Sequence, residues 1–376
     1  MSSAHLALLG LSSILDLALL VALLRARPER ELTLARLTSA LIATAAFATV
    51  KMMVLCVVVQ SFFFAVALGY ADLVVVTPLA ALTVLLASPR RRVARAVRSL
   101  ALCALVLLPA LGVYASCIEP RRLVEERVDV ALEARVAPSQ PLRIAVLADL
   151  QSRDFDEHLR DAVASALAFE PHLIVLPGDL IQLEDQREYE RVTPRFRELL
   201  APLRAPLGVY FVVGNTDTPE LVGRVFEGTQ VRLLRNELVE LEFHGRRIAL
   251  AGVDFSFASR SSRAFLSEFG ARDEGELRIL LAHYPDVVLA LERAASIDLT
   301  IAGHTHGGQV QLPFFGPPLT LSSVPRAAAA GGLHAVDGFR LYVSRGVGAE
   351  RGAAPLVRFL CPPEVSLLTL RAAAGD

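Results

Sequence analysis

Seven residues in the C-terminal two-thirds of the chain have the types and positions of metal ligands: Asp149, Gln151, Asp179, Asn215, His283, His304 and His306. Nearly all follow directly on a short apolar run. RIAVLA (143–148) ends at Asp149, LIVL (173–176) leads into Pro-Gly-Asp179, and GVYFVV (208–213) into Gly-Asn215. LRILLA (277–282) ends at His283, and DLTIA (298–302) leads into Gly-His304-Thr-His306. Carboxylates, amide oxygens and imidazoles are hard-to-borderline donors, suited to Mn, Fe or Zn. Two such cations ~3.5–4 Å apart need about seven ligands and one carboxylate that bridges. Glycines beside Asp179, Asn215 and His304 permit backbone turns that aim those side chains inward.

The elements that position these residues follow from periodicity. Each apolar run has strand length and composition. The segments 156–169 and 186–200 have helical spacing and separate the early strands. Alternating strand and helix predicts an α/β domain with its polar residues at the C-terminal strand ends, where such domains place ligands. IALAGV (248–253) ends likewise in Asp254; Asp254 and Asp217 are read as supporting residues rather than ligands.

As an ordered set the motifs resemble the calcineurin-like metallophosphoesterase superfamily. Its pattern is Asp-x-His, Gly-Asp-x-x-Asp, Gly-Asn-His-Asp/Glu, His and Gly-His-x-His, and the resemblance runs from about 142 to 371. The stretches GHTHGGQVQLPFFGPP, YVSRGVG and PPEVSLLTL resemble a bacterial branch that is often membrane-anchored. The resemblance implies a four-layer α/β/β/α sandwich and two divalent cations (Mn, Fe or Zn). It implies one metal on Asp149, Gln151, Asp179 and His306, and a second on Asp179, Asn215, His283 and His304, with Asp179 bridging. It implies a metal-activated hydroxide attacking a phosphate ester or diphosphate, with Asn215 and Thr216 near the substrate. No residue is singled out as a catalytic acid or base.

Three positions depart from the pattern. Gln151 stands where the family has His, Gln182 where it has the last Asp of Gly-Asp-x-x-Asp, and Thr216 where it has the His after Asn. A threonine hydroxyl is a poor general acid. The departures leave two readings: a hydrolase of substrates with good leaving groups, such as a diphosphate, or a catalytically degenerate protein that binds a phospho-ligand or a partner.

The N-terminal third is different. The 376-residue chain is 53% hydrophobic and 20% charged, with a mean hydropathy of +0.48, which excludes a disordered chain, a coiled coil and an ordinary soluble enzyme. Residues 1–118 hold ten Lys/Arg and four Asp/Glu, and the rest 28 and 35. An acidic second part without a basic block argues against nucleic acid. Four spans are expected, roughly 6–24, 37–59, 67–88 and 99–118. Arg25, Arg27, Arg30 and Arg36 flank the first connection and Arg90, Arg91, Arg92, Arg95 and Arg98 fill the third, which puts both in the cytoplasm and residues beyond 118 outside it. The expected organisation is thus a transmembrane helical domain (1–118), a linker (119–141) and a phosphoesterase domain (142–376). The expected setting is a multi-pass cell-membrane protein with an extracytoplasmic catalytic domain. Asp16, Lys51 and Asp72 lie in or near the spans and either serve a function or pair with each other. The four cysteines show no framework spacing. LPFFGPPLTL (312–321) follows the His pair and places Phe314, Phe315 and Leu319 as an apolar lip suited to a lipid-linked phosphate, or else packs on the core. The expected partners are a bilayer and a phosphorylated small-molecule or lipid substrate.

Overall fold

The computed structural model describes residues 9–10, 12–18, 21, 51, 53, 62–87, 95–152, 156–183, 185–271, 275–350 and 354–373. The chain forms two compact units, Met1–Cys117 with Arg351–Leu356, and Ile118–Glu350 with Val357–Asp376.

In the first unit, α1 (Phe62–Ala71) runs through a π-helical turn (Asp72–Val76) into α2 (Thr77–Ala87). Helix α3 (Arg95–Val113) runs into a second π turn (Tyr114–Ile118). Among the described residues, the stretches Phe62–Thr83 and Arg98–Arg121 are long and apolar enough to cross a bilayer. They overlap the expected spans 67–88 and 99–118. The first already includes Phe62, the first described residue of this stretch, and Gly69 is accommodated within the helix. The expected spans 6–24 and 37–59 lie mostly outside the described residues. The Tyr70 hydroxyl donates to the Gly112 carbonyl at 3.0 Å and shares a hydrogen bond with Ser116 Oγ at 2.7 Å. The three charges expected in or near the spans meet: Lys51 Nζ lies 2.6 Å from Asp16 and 2.9 Å from Asp72.

The second unit contains strands β1 (Val124–Leu132), β2 (Leu142–Val146), β3 (Leu173–Leu176), β4 (Val209–Val212), β5 (Val231–Leu234), β6 (Glu237–Phe243), β7 (Arg246–Gly252), β8 (Leu277–Leu281), β9 (Leu299–Ala302), β10 (Gly332–Val336), β11 (Phe339–Val343) and β12 (Glu364–Ala372). Helices α4 (Glu157–Ala168), α5 (Gln186–Leu200), α6 (Pro219–Phe226), α7 (Arg260–Ala271) and α8 (Arg326–Ala329) connect them. One six-stranded sheet has the order β1-β12-β2-β3-β4-β5 and the other β10-β11-β9-β8-β7-β6. The pairs β2–β3, β3–β4, β4–β5, β7–β8 and β8–β9 are parallel, so their C-terminal ends open on the same edge of each sheet.

The layering follows from the alternation of side chains along each strand. In β2, Ile144 and Val146 face one way and Ala145 the other; in β3, Leu173 and Val175 oppose Ile174 and Leu176. The first set joins Ile248, Leu250, Ile279 and Ile301 of the second sheet in a core between the sheets. The second set packs under Leu159, Val163, Val192, Phe196 and Val222 of α4, α5 and α6. On the far face of the second sheet, Ala249, Ala251 and Leu280 pack against Leu266 and Phe269 of α7. The stack is therefore helices, sheet, sheet, helices. Strands buried on both faces read as continuous apolar runs, which is why these were legible as strands.

The segment 119–141, expected as a linker, carries β1, which pairs in parallel with β12 at the sheet edge. Burial alternates along VEERVDVAL, with Glu125, Arg127, Asp129 and Ala131 on the wet face. Helices α4 and α5 start at side-chain caps: Asp156 accepts from the Leu159 N–H at 3.1 Å, and Asp185 from the Arg187 N–H at 2.7 Å.

Candidate metal centre

The site is assembled from the loops after β2, β3, β4, β8 and β9. The pairing of β2 and β3 continues into their loops: Asp149 N–H donates to the Gly178 carbonyl at 3.1 Å and Gln151 N–H to the Asp179 carbonyl at 2.8 Å. Five of the seven expected ligands adopt left-handed backbone: Asp149 (φ 48°), Gln151 (34°), Asp179 (55°), His304 (72°) and His306 (49°). For residues with a Cβ this conformation is strained, and such strain persists where the surroundings enforce it. The turns are thus made by the ligand residues themselves. Gly214 and Gly303 serve another purpose, since a Cβ there would collide with the carboxylates of Asp179 and Asp149 respectively.

One ligand atom each from Asp149, Asp179 and His283 lies within 4.8 Å of the others, all three residues being buried. His283 Nδ1 faces the Pro177 carbonyl at 2.8 Å. A carbonyl only accepts, so Nδ1 carries the proton and Nε2 the lone pair. That Nε2 lies 2.9 Å from Asn215 Oδ1 and 3.6 Å from Asp179 Oδ2. Asp149 accepts the His304 N–H at 3.0 and 3.1 Å. The ring of His304 stacks obliquely on Tyr284 with centroids 4.0 Å apart and lies 5.0 Å from that of His283. Thr216 reaches the centre through its backbone, its N–H donating to Asp179 Oδ1 at 2.9 Å.

Asp217 is a bracket beneath this layer. It accepts N–H bonds from Asp179 (2.8 Å), Leu180 (2.9 Å) and Gly214 (2.8 Å), which ties the β3 loop to the β4 loop. Asp254 lies on another network, paired with Arg235 at 2.8 Å and with Ser256.

The electrostatics are those of a site short of positive charge. Burial pushes the Asp179 carboxyl up to about 7 against the opposing N–H of Thr216. Burial, then the charge of Asp179, pushes Asp217 up to about 7. Burial raises Asp149 well above the ordinary carboxylate value, and the charge of Asp179 adds to it. Burial holds His283 down at about 4, His304 at about 3 and His306 well below its ordinary value. The imidazoles are therefore neutral and carry lone pairs at physiological pH. Among the described residues, neither Asp149 nor Asp179 forms an ion pair with Lys or Arg. Two further acceptor-bearing atoms, Gln151 Oε1 and His306 Nδ1, are buried without a partner. Buried polar atoms are normally satisfied; clustered carboxylates, bare imidazoles and an orphaned amide oxygen together fit divalent cations.

Two residues of the site have no signal in the motifs. Glu350 lies almost two hundred positions from Gln151, yet accepts from its Nε2 at 3.1 Å. Arg358 is fully buried, and its guanidinium donates to the carbonyls of Arg345 (2.8 Å), Gly346 (3.2 Å) and Cys361 (3.1 Å). It thereby staples the Gly346–Gly348 turn, whose Gly348 N–H donates to the Asp149 carbonyl at 2.7 Å. The position of Arg358 in the apolar run PLVRFL is the one sequence hint that it is buried.

The calcineurin-like phosphoesterase family model matches residues 142–308. The chain is 30% identical over 238 residues to phosphodiesterase YaeI of Escherichia coli, covering 61% of this chain and 82% of that one. It is 30% identical over 270 residues to the uncharacterized metallophosphoesterase YkuE of Bacillus subtilis, covering 69% and 89%. It is 26% identical over 330 residues to UDP-2,3-diacylglucosamine pyrophosphatase LpxG of Chlamydia muridarum, covering 72% and 96%. With this fold and this site, the chain belongs to the calcineurin-like phosphoesterase family. It is accordingly a hydrolase of phosphate esters.

Proposed function

We propose a membrane-anchored, metal-dependent phosphohydrolase that acts on a lipid-linked phosphate ester or diphosphate. The observation that carries this reading is the burial of Asp149, Asp179 and a neutral His283 around one point. In the proposed centre, Asp149, Gln151, Asp179 and His306 hold one divalent cation, and Asp179, Asn215, His283 and His304 hold the other. When bound, such a pair supplies Lewis acidity, which lowers the pKa of a water and offsets charge on phosphoryl oxygens. Asp179 serves both positions because its two oxygens face different partners, the Thr216 N–H and His283 Nε2. The carbonyl of Pro177 fixes the tautomer of His283. Asn215 and the hydroxyl of Thr216 border the place where the substrate phosphate sits.

Two observations support a lipid-linked substrate. The relative LpxG is named for hydrolysis of a diacylated sugar nucleotide. In this chain, Leu312, Phe314, Phe315, Leu319 and Leu321 are all exposed, and a groove of about 480 Å³ lined by Pro317, Leu319, Leu321 and Arg326 runs beside them. The groove adjoins the centre, since the Leu321 carbonyl accepts a hydrogen bond from the His304 ring.

Residues 1–118 form the proposed membrane domain, with four spans and both arginine-rich connections in the cytoplasm. The catalytic domain, β1 included, then lies outside the cytoplasm. The core test measures bound metal and turnover of chromogenic phosphodiesters and phosphomonoesters with Mn, Fe, Zn, Co and Mg, for wild type and Asp179→Asn. Loss of both metal and turnover in the variant supports the centre; wild-type turnover in the variant refutes it. A C-terminal reporter fusion tests the orientation, and a cytoplasmic signal would overturn it.

A further inference from the structure

The two glutamines at positions 151 and 182 replace a ligand and a carboxylate of the family pattern, and the structure brings both onto a third residue. Gln182 Nε2 donates to Glu350 Oε1 at 2.7 Å. Gln151 Nε2 donates to Glu350 Oε2 at 3.1 Å and to Gln182 Oε1 at 3.3 Å. Each carboxylate oxygen of Glu350 thus takes one amide N–H. Glu350 is itself anchored, its backbone N–H donating to Gln309 Oε1 at 2.7 Å. Gln309 in turn donates its N–H to the carbonyl of His306 at 3.0 Å.

This trio decides which end of the Gln151 amide faces which way. Both N–H bonds of Gln151 are taken, one by Glu350 and one by Gln182. The opposite orientation would set Gln151 Oε1 against a carboxylate and another amide oxygen, three acceptors without a proton among them. The orientation is therefore fixed, and it leaves Gln151 Oε1 fully buried with no partner. A network that served packing alone would satisfy that oxygen, because a buried carbonyl left unpaired has lost its water without gaining a donor. An imidazole offers its lone pair along a rigid ring. An amide can present either nitrogen or oxygen, so an amide ligand needs a group that selects the oxygen.

We propose that Glu350 is a positioning residue for the metal centre: it locks the Gln151 amide so that Oε1 is presented to the first cation, and so makes glutamine serve where the family pattern has histidine. The same charge adds negative potential beside the cation. The inference rests on the two-metal reading above and names a residue that reading does not use.

The test is the metal content and Mn²⁺ affinity of the full-length protein in detergent, read by elemental analysis and by Mn²⁺-induced rise in melting temperature. Wild type is expected to bind two Mn²⁺ per chain. Glu350→Ala is expected to weaken one of them about 10–100-fold, the usual effect of losing a residue that orients a ligand. Gln151→Ala should weaken the same ion, and adding Glu350→Ala to it should cost little more. Gln151→His should restore binding in the Glu350→Ala background, since a ring needs no such selection. That rescue also shows that Glu350→Ala folds. Two tight ions in Glu350→Ala, or failure of Gln151→His to rescue, would overturn the role of Glu350 alone. Fewer than two ions in wild type would overturn the two-metal reading itself.

Discussion

Each unit of this chain gathers acidic side chains away from full solvent, half-buried around a buried Lys51 in the helical unit and fully buried in the α/β unit, and each handles them differently. In the helical unit, Asp16 and Asp72 converge on Lys51, so the chain provides its own cation. In the α/β unit, Asp149, Asp179 and Asp217 lie close together and, among the described residues, none pairs with Lys or Arg. Three nearby histidines are kept neutral by burial, so they add no positive charge. Isolated buried charge is costly by several kcal/mol per ion. A cluster closed by its own lysine is a structural tie, whereas one left open with bare acceptors is built for an ion from solution.

Removing Lys51 is the most severe way to break this comparison. Lys51→Met leaves two carboxylates without a partner and should cost about 3–5 kcal/mol. The expected result is a sharp fall in folded protein recovered from membranes, with Asp16→Asn and Asp72→Asn together restoring it. Turnover per folded molecule should stay at the wild-type level, because no expected ligand lies in this unit.

Next in size is Asp217→Ala, which strips the acceptor from three backbone N–H groups. A loss of about 3 kcal/mol in urea unfolding is expected, together with weaker metal binding, since both loops that carry Asp179 and Asn215 are released. Unchanged stability would mean that the loops are held by something other than this bracket.

The effect of pH on the metal-free chain is smaller and has a definite sign. At pH 6.5 the unfolded histidines are about half protonated while the folded ones are neutral, a smaller effect of opposite sign that is gone by about pH 7.5. Asp179 and Asp217 titrate near 7 when folded and near 3.8 when not. Between pH 6.5 and 8.5 the folded chain releases protons that the unfolded chain has already lost, so stability falls as pH rises. With chelator present, the urea midpoint should be lower at pH 8.5 than at 6.5. Saturating Mn²⁺ should reverse the order, because cation binding needs the deprotonated carboxylates.

The smallest expected change is Thr216→Ala. The backbone N–H to Asp179 survives, so stability should shift by less than about 0.5 kcal/mol and metal content should not change. A rise in KM with little change in kcat is expected if the hydroxyl contacts substrate phosphate.

Much of the α/β unit was legible because its strands are buried on both faces. Runs such as LIVL and LRILLA cannot be solvated strands, and a polar residue at the end of each marks the loop edge. Asp149, Asp179 and His283 are brought together as that order implied. Strand β1 was not legible, because its wet face carries Glu125, Arg127 and Asp129 and its inner face Glu126, which pairs with the distant Arg345, so the segment reads as a connection. Glu350 and Arg358 were not legible either, since neither belongs to a motif and each acts across a large sequence separation.

What the residues by themselves set out is the chemistry available: seven candidate donors of suitable hardness, their order along the strands, and four expected apolar spans, two of which the described residues contain as helices long enough for a bilayer. Local composition and period set these, and both are properties of neighbours in sequence. What only the tertiary structure decided is which atoms those donors present. The proton on His283 Nδ1 follows from Pro177, the bracket of Asp217 spans two loops, and the orientation of Gln151 depends on Glu350. Hydrogen-bond direction is set by partners in space, and these partners are distant in the chain.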